Sequence, residues 1–305
     1  MRWLWLPTLI LLGGIAFWLS RPQRLLALEF ARQRRRAHAH VHRVTLPVGQ
    51  IAYLRAGQGH GTPLLYVHGF TGMKENWLPL MADMGRDCVQ FAPDLPGWGE
   101  SERREGDDPG YAAQADRLAA FVDAVIGAPV DVIGHSMGGG IAAVFAARYP
   151  QKVRRLVLMD AAGVRFADNA FGQAVLDGEN PFGVADVAAL RRYLALVFER
   201  PPWVPGSVAR WLVRQRIADA AFERSVLDSI GRSDDAFLPE REAHRITAPT
   251  LLLWCRGDRV VDASAAEIYA AQISGSRVAL LDGTGHMPMM ECRPATVAAL
   301  QEFLA

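Results

Sequence analysis

A mostly parallel, doubly wound α/β sheet carrying an inserted helical cap is the fold class that this 305-residue sequence predicts. Three observations predict it. From residue 44 onward short β-rich runs alternate with helical ones, the pattern of an α/β sheet. Several of those runs are continuously apolar, as strands covered on both faces must be. The rhythm breaks once, over residues 163–243, where helical patterns recur without a convincing strand.

The chain opens with an uncharged run, "WLWLPTLILLGGIAFWL", from Trp3 to Leu19. As a helix it would span about 25 Å against a hydrocarbon core of roughly 30 Å. Trp3, Trp5 and Trp18 sit at its ends, where indole rings prefer the membrane–water boundary. Its end, "FWLSRPQ", lacks the small-residue site of a cleaved signal, so residues 1–20 are expected to be an uncleaved transmembrane anchor. Residues 21–43 follow as a basic juxtamembrane segment with Arg21, Arg24, Arg32, Arg34, Arg35 and Arg36. This asymmetry puts the bulk of the chain on the cytoplasmic face, as in a single-pass protein of a bacterial inner membrane. Leu25, Leu26, Leu28 and Phe30 can lie in the interface beside arginines drawn to anionic lipid. His38, His40 and His42 alternate without a fourth ligand or nearby carboxylate, and read as a polar linker entering a strand.

Strands are then expected at "IAYLRAG" (51–57), "PLLYVHG" (63–69), "CVQFAPD" (88–94), "VDVIGHS" (130–136), "RRLVLMD" (154–160), "TLLLWCRGD" (250–258) and "RVALLDGTGH" (277–286). Helical spacing fills "YAAQADRLAAFVDAVIG" and "IAAVFAARYP", which stop at Gly127 and Pro150. Residues 44–162 and 244–305 therefore read as the core, and 163–243, too long for a plain connection, as the cap.

Half the residues are apolar, 21% are charged and the formal net charge is +1, which gives no argument for a nucleic-acid partner. Cys88, Cys255 and Cys292 are odd in number and lack metal-ligand spacing. Core packing is the expected role for the two in or beside strands.

The chemistry concentrates in "PVDVIGHSMGGGIAAVFAARYP". G-x-S-x-G between a strand and a helix is a turn so sharp that its flanks must be small, and it presents Ser136 at the carboxyl edge of the sheet. The head of the following helix favours a developing negative charge there. A serine hydroxyl needs a base, and the base an orienting acid. Asp258, just past "LLLWC", and His286, just past "VALLDGTG", supply them in the order acid then histidine. Asp160, Asp262 and Asp282 are the alternatives to Asp258. The oxyanion donors would be the backbone N–H of Met137 and that of Phe70 in "YVHGFTGMKENW". His68 and Phe70 are expected beside the substrate, together with Trp203 among the cap aromatics Phe171, Phe182, Phe198 and Trp211. No metal or other cofactor is called for.

"HGFTG", "DLPGWGES", "GHSMGG", "GDRVVD" and "GTGHMPMME" together resemble the α/β-hydrolase family, over residues 66–291. The N-terminal apolar segment, "HGFTGMKENW", "SMGG" and "GDRVVDASAAE" are similar to the membrane-anchored monoacylglycerol lipases and related bacterial lipases. The resemblance implies a cofactor-free serine hydrolase acting on a lipid or other apolar ester at a membrane. Two alternatives share much of the sequence. A carbon–carbon bond hydrolase of ring-cleavage products has the same fold and triad, although such relatives usually carry a tryptophan where Met287 follows His286. A membrane-tethered binding protein on a dead hydrolase fold would be expected to have lost a triad member, and none is lost here.

Overall fold

The computed structural model describes residues 21–305, so the expected anchor at residues 1–20 lies outside the described residues. Among the described residues no helix is long and apolar enough to cross a membrane.

Eight strands form one sheet: β1 (His40–Leu46), β2 (Gly49–Ala56), β3 (Leu64–Val67), β4 (Gln90–Pro93), β5 (Val130–His135), β6 (Val153–Met159), β7 (Thr250–Cys255) and β8 (Arg277–Leu281). Their order is β1-β2-β4-β3-β5-β6-β7-β8. β2 runs antiparallel to both β1 and β4, and the pairs from β4 through β8 are parallel. Two-residue periodicity divides the central strands between two cores. Leu65, Val67, Val132, Leu156, Leu158, Leu252 and Trp254 pack on one face, while Leu64, Tyr66, Ile133, Val157, Leu251 and Leu253 pack on the other. That double burial explains why these strands read as unbroken apolar runs.

Where the chain enters the sheet, the expectations need revision. The segment read as a basic juxtamembrane stretch contains a helix, α1 (Pro22–Ala37), which ends where His38 turns left-handed at φ 49°. Arg36 pairs with Asp83 at 2.7 Å and Arg34 with Glu75 at 3.4 Å, so α1 is docked on the core. β1 begins at His40, four residues before the expected start of the core at residue 44, and includes His42, which stacks on Tyr53 of the neighbouring strand. β1 is an edge strand with most side chains solvent-facing, so it lacks the apolar run that betrays the inner strands.

Between β6 and β7 the chain forms only helices: α5 (Ala170–Leu176), α6 (Val187–Val197), α7 (Gly206–Gly231) and α8 (Leu238–Glu242). Asn169 and Asp186 cap the first two, each side chain accepting the amide three residues on at 2.7 Å. Val184, Leu190, Ala209 and Val213 make a small separate core there.

Candidate active site

After helices α2 (Leu78–Met84) and α3 (Tyr111–Phe121), Ser136 follows β5 directly and heads helix α4 (Met137–Arg148). Its backbone sits at φ 54°, ψ −124°, a conformation that costs an L-residue energy and persists only where the surroundings impose it. They do so through glycine. A Cβ on Gly134 would lie 2.5 Å from the Gly138 carbonyl, and one on Gly138 would lie 2.3 Å from that of Val67. The Ser136 carbonyl accepts the amides of Gly139 (2.8 Å), Gly140 (3.1 Å) and Ala162 (3.0 Å). Those bonds leave the amides at the very head of α4, Met137's among them, open to a ligand.

Phe70 lies on the loop after β3, and the hydrogen bonds around it show how its amide is aimed. Leu95 N–H donates to His68 Nε2 at 2.9 Å, so the ring proton is on Nδ1. Nδ1–H then donates to the Gly69 carbonyl at 2.9 Å, which also takes the Gly72 amide at 3.0 Å. A trans peptide points its N–H opposite its C=O, so fixing the Gly69 carbonyl fixes the Phe70 N–H. Burial holds the pKa of His68 below the ordinary histidine value and keeps the ring neutral. His68 is thus a buried support of this loop.

His286 Nδ1 donates to Asp258 Oδ2 at 2.6 Å, and both side chains are buried. Asp258 Oδ1 accepts the amides of Val260 (2.7 Å) and Val261 (3.1 Å), which hold the carboxylate toward the ring. None of the three rival aspartates is the partner of His286, although Asp160 lies beside Asp258. Asp160 accepts Cys255 N–H at 2.8 Å and lies 3.2 Å from the Cys255 Sγ. Burial, reinforced by the negative charge of Asp258, drives its pKa well above the ordinary carboxylate value. Asp262 caps the amide of Ser264, and Asp282 forms an exposed pair with Arg256.

Sequence reasoning passed over His135, which is 4% exposed. Its Nε2 lies 2.7 Å from the His286 carbonyl, and the two imidazole rings are 4.7 Å apart. The signal was adjacency: the residue before the elbow serine alternates to the face that meets the loop bearing His286. Burial, followed by the proximity of His286, pushes the His135 pKa well below the usual histidine range.

Ser136 borders two cavities. A large one of about 400 Å3 is lined by Phe70, Met137, Phe166, Phe171, Val175, Phe182 and Ile230, among others, and lies between core and cap. A small one of about 40 Å3 is lined by His68, Thr71, Asn76, Tyr193 and His286 together with apolar and aromatic side chains such as Trp77, Phe182, Val197, Met287 and Met289. Among the described residues the hydrogen bonds of the cluster join His286 to Asp258, and none joins the Ser136 hydroxyl to the imidazole. Phe70 and the cap residue Phe182 border both cavities, and Phe171 lines the large one. Trp203 lines neither. It is 86% exposed, in the Pro-rich stretch that leads into α7, and its expected place beside the substrate is corrected accordingly. Phe198 packs against the main core.

A family model described as alpha/beta hydrolase fold matches residues 62–291. The chain is similar to monoacylglycerol lipase ABHD6 of Bos taurus, at 29% identity over 98% of this chain and 91% of that one. It is 30% identical to lipase 3 of Moraxella sp. (strain TA144), over 89% and 86% of the two chains. The crystal structure of a membrane phospholipase A, described as a bacterial virulence factor, superposes with a TM-score of 0.88 at 34% identity, covering 100% of this chain and 98% of that one.

Proposed function

The chain belongs to the α/β-hydrolase fold family, and on that premise we propose that it is a membrane-anchored serine hydrolase of lipid esters, of which a monoacylglycerol is the best match. The observation that carries this reading is Ser136 on a strained strand-to-helix elbow, opening into an apolar cavity of about 400 Å3 and sharing a second chamber with an aspartate-held histidine. The lipases and the membrane phospholipase to which the chain is similar support the same chemistry.

In this reading Ser136 Oγ attacks the ester carbonyl while His286 Nε2 takes its proton. Asp258, bonded to Nδ1, holds the ring in tautomer and orientation and stabilises the imidazolium that forms. The amides of Phe70 and Met137 receive the oxyanion. Removing one such donor typically costs 10²–10³ in kcat. His286 returns the proton to the leaving alkoxide, and a water activated by the same imidazole hydrolyses the acyl-enzyme. The step needs the Ser136 hydroxyl and the imidazole within hydrogen-bond reach in the substrate complex. Residues 1–20 serve as the anchor, with the catalytic part on the cytoplasmic face.

Fluorophosphonate labelling and turnover of a short p-nitrophenyl ester test the assignment. Ser136→Ala is expected to abolish labelling and to lower turnover by roughly 10⁴-fold or more. Labelling that survives the substitution would remove Ser136 as the nucleophile.

A further inference from the structure

Separate loops carry Asp258 and His286, and one segment of the cap, where α6 ends, is tied to both. Arg259, next to Asp258, donates from Nη1 to the Ala195 carbonyl at 2.9 Å and pairs through Nη2 with Glu199 at 2.6 Å. Gly285, next to His286, lies so close to the same segment that a Cβ on it would be 2.7 Å from the Glu199 nitrogen and 3.1 Å from the Val197 carbonyl oxygen. Those neighbours are backbone atoms, which cannot swing aside as the end of a side chain can.

Glu291 fastens this contact. It ends the helical turn Pro288–Glu291 that follows the His286 loop. Its Oε2 accepts the Gly285 amide at 2.8 Å and the Glu199 amide at 3.1 Å, while Oε1 accepts the Arg200 amide at 2.5 Å. Thr284 Oγ1 lies 3.4 Å from Oε2. One ionised carboxylate can serve donors from both segments because its two oxygens offer about four acceptor sites and no donor. Hydrogen bonds to an ion are roughly twice as strong as neutral ones, so the tie resists parting. None of these bonds reaches the imidazole or Asp258. The ring is held by Asp258 and the His286 carbonyl by His135, so Glu291 acts on the base only through the backbone that leads into it.

We propose that Glu291 is a positioning residue for His286: its carboxylate carries the seat of the cap segment 197–200 into the loop that bears the imidazole, so that a cap parted from this tie takes the base out of line with Ser136. The inference rests on the reading of His286 as the general base and adds the residue that makes its place depend on the cap. Displacing a catalytic group by about 1 Å can cost on the order of 100-fold in rate without any lost contact to substrate.

The test uses the full chain in detergent and Glu291→Gln, which keeps the size of the side chain but turns an NH2 group toward amide donors, leaving at most one of the two segments an acceptor. Hydrogen–deuterium exchange should quicken by about threefold or more in peptides over both 195–202 and 283–287, since each segment loses its hold on the other. For p-nitrophenyl butyrate, kcat per fluorophosphonate-titrated site should fall by roughly 10–100-fold while KM stays within about threefold, the split expected of a misplaced group rather than of lost substrate binding. Arg103→Gln cuts a different core–cap ion pair, the one with Asp219, and should leave kcat within about twofold. Where Glu291→Gln yields no folded protein, Gly285→Ala makes the same test with Glu291 intact, its methyl group parting the two segments, and the same split is expected. Faster exchange confined to 283–287, an unchanged kcat per site, or an equal loss in Arg103→Gln overturns the proposal. A His286→Ala chain as active as wild type would instead remove the base itself, and this inference with it.

Discussion

His135 shows how one buried side chain connects the site to stability. Its ring is neutral in the fold because burial lowers its pKa, whereas an unfolded histidine titrates near 6.5. Below about pH 6.5 the unfolded chain therefore binds the extra proton, and the contribution of His135 to stability falls as pH falls. Asp160 acts with the opposite sign, since its raised pKa lets the folded state keep a proton that the unfolded carboxyl has lost. The wild-type pH profile sums these terms with others, that of buried His68 among them, so the informative quantity is a difference between two proteins. His135→Gln is expected to lose less stability than wild type between pH 7 and 5.5, by up to about 1.4 kcal/mol per pH unit. Paired thermal melts across that range check it, and parallel profiles would exclude a neutral buried imidazole at this position.

Two loops and a helix meet at Lys74, which is 1% exposed. Its ammonium lies 2.8 Å from Asp94, 3.3 Å from Glu75 and 3.5 Å from Glu100. Asp94 also accepts the amides of Lys74 (2.7 Å) and Glu100 (2.8 Å), tying the loop after β3 to the loop after β4. Through Glu75 and Arg34 the same cluster reaches α1. An ammonium removed from among buried carboxylates leaves them uncompensated, which costs about 3–5 kcal/mol. Lys74→Met is therefore expected to destabilise the protein by that amount. Lys74→Met/Asp94→Leu should cost less than the sum of the two single substitutions, as urea denaturation of the four proteins would measure. Strict additivity would show that the ammonium and the carboxylate are not coupled.

At the scale of the molecule, function depends on the space enclosed between the sheet edge and the cap. The large cavity takes its walls from the elbow, from the loop after β6 and from α5 and α7. Ile230, near the end of α7, lines it without touching the proposed proton relay. Ile230→Trp should shift the ester preference toward short acyl chains, lowering kcat/KM for a long-chain ester relative to a butyrate ester by roughly tenfold. A chain-length profile unchanged by this substitution would mean that the acyl group lies elsewhere. The described α1 helix, ion-paired to the core, also ties the residues that follow the proposed anchor to the catalytic part of the chain.

What could be read from the chain alone was what depends on local pattern. Unbroken apolar runs marked the inner strands because both of their faces are covered, and glycines around Ser136 marked the elbow because no side chain fits there. The edge strand at His40 and the helix at Pro22 were hidden, since solvent-facing polar residues carry no such pattern. Which aspartate meets His286, which cap aromatics face the cavity, and how His68 and His135 brace the site were decided only by the tertiary structure. The physical reason is that these contacts join loops far apart in sequence. Their distances are set by how the sheet, cap and elbow pack together, and local periodicity carries no record of that.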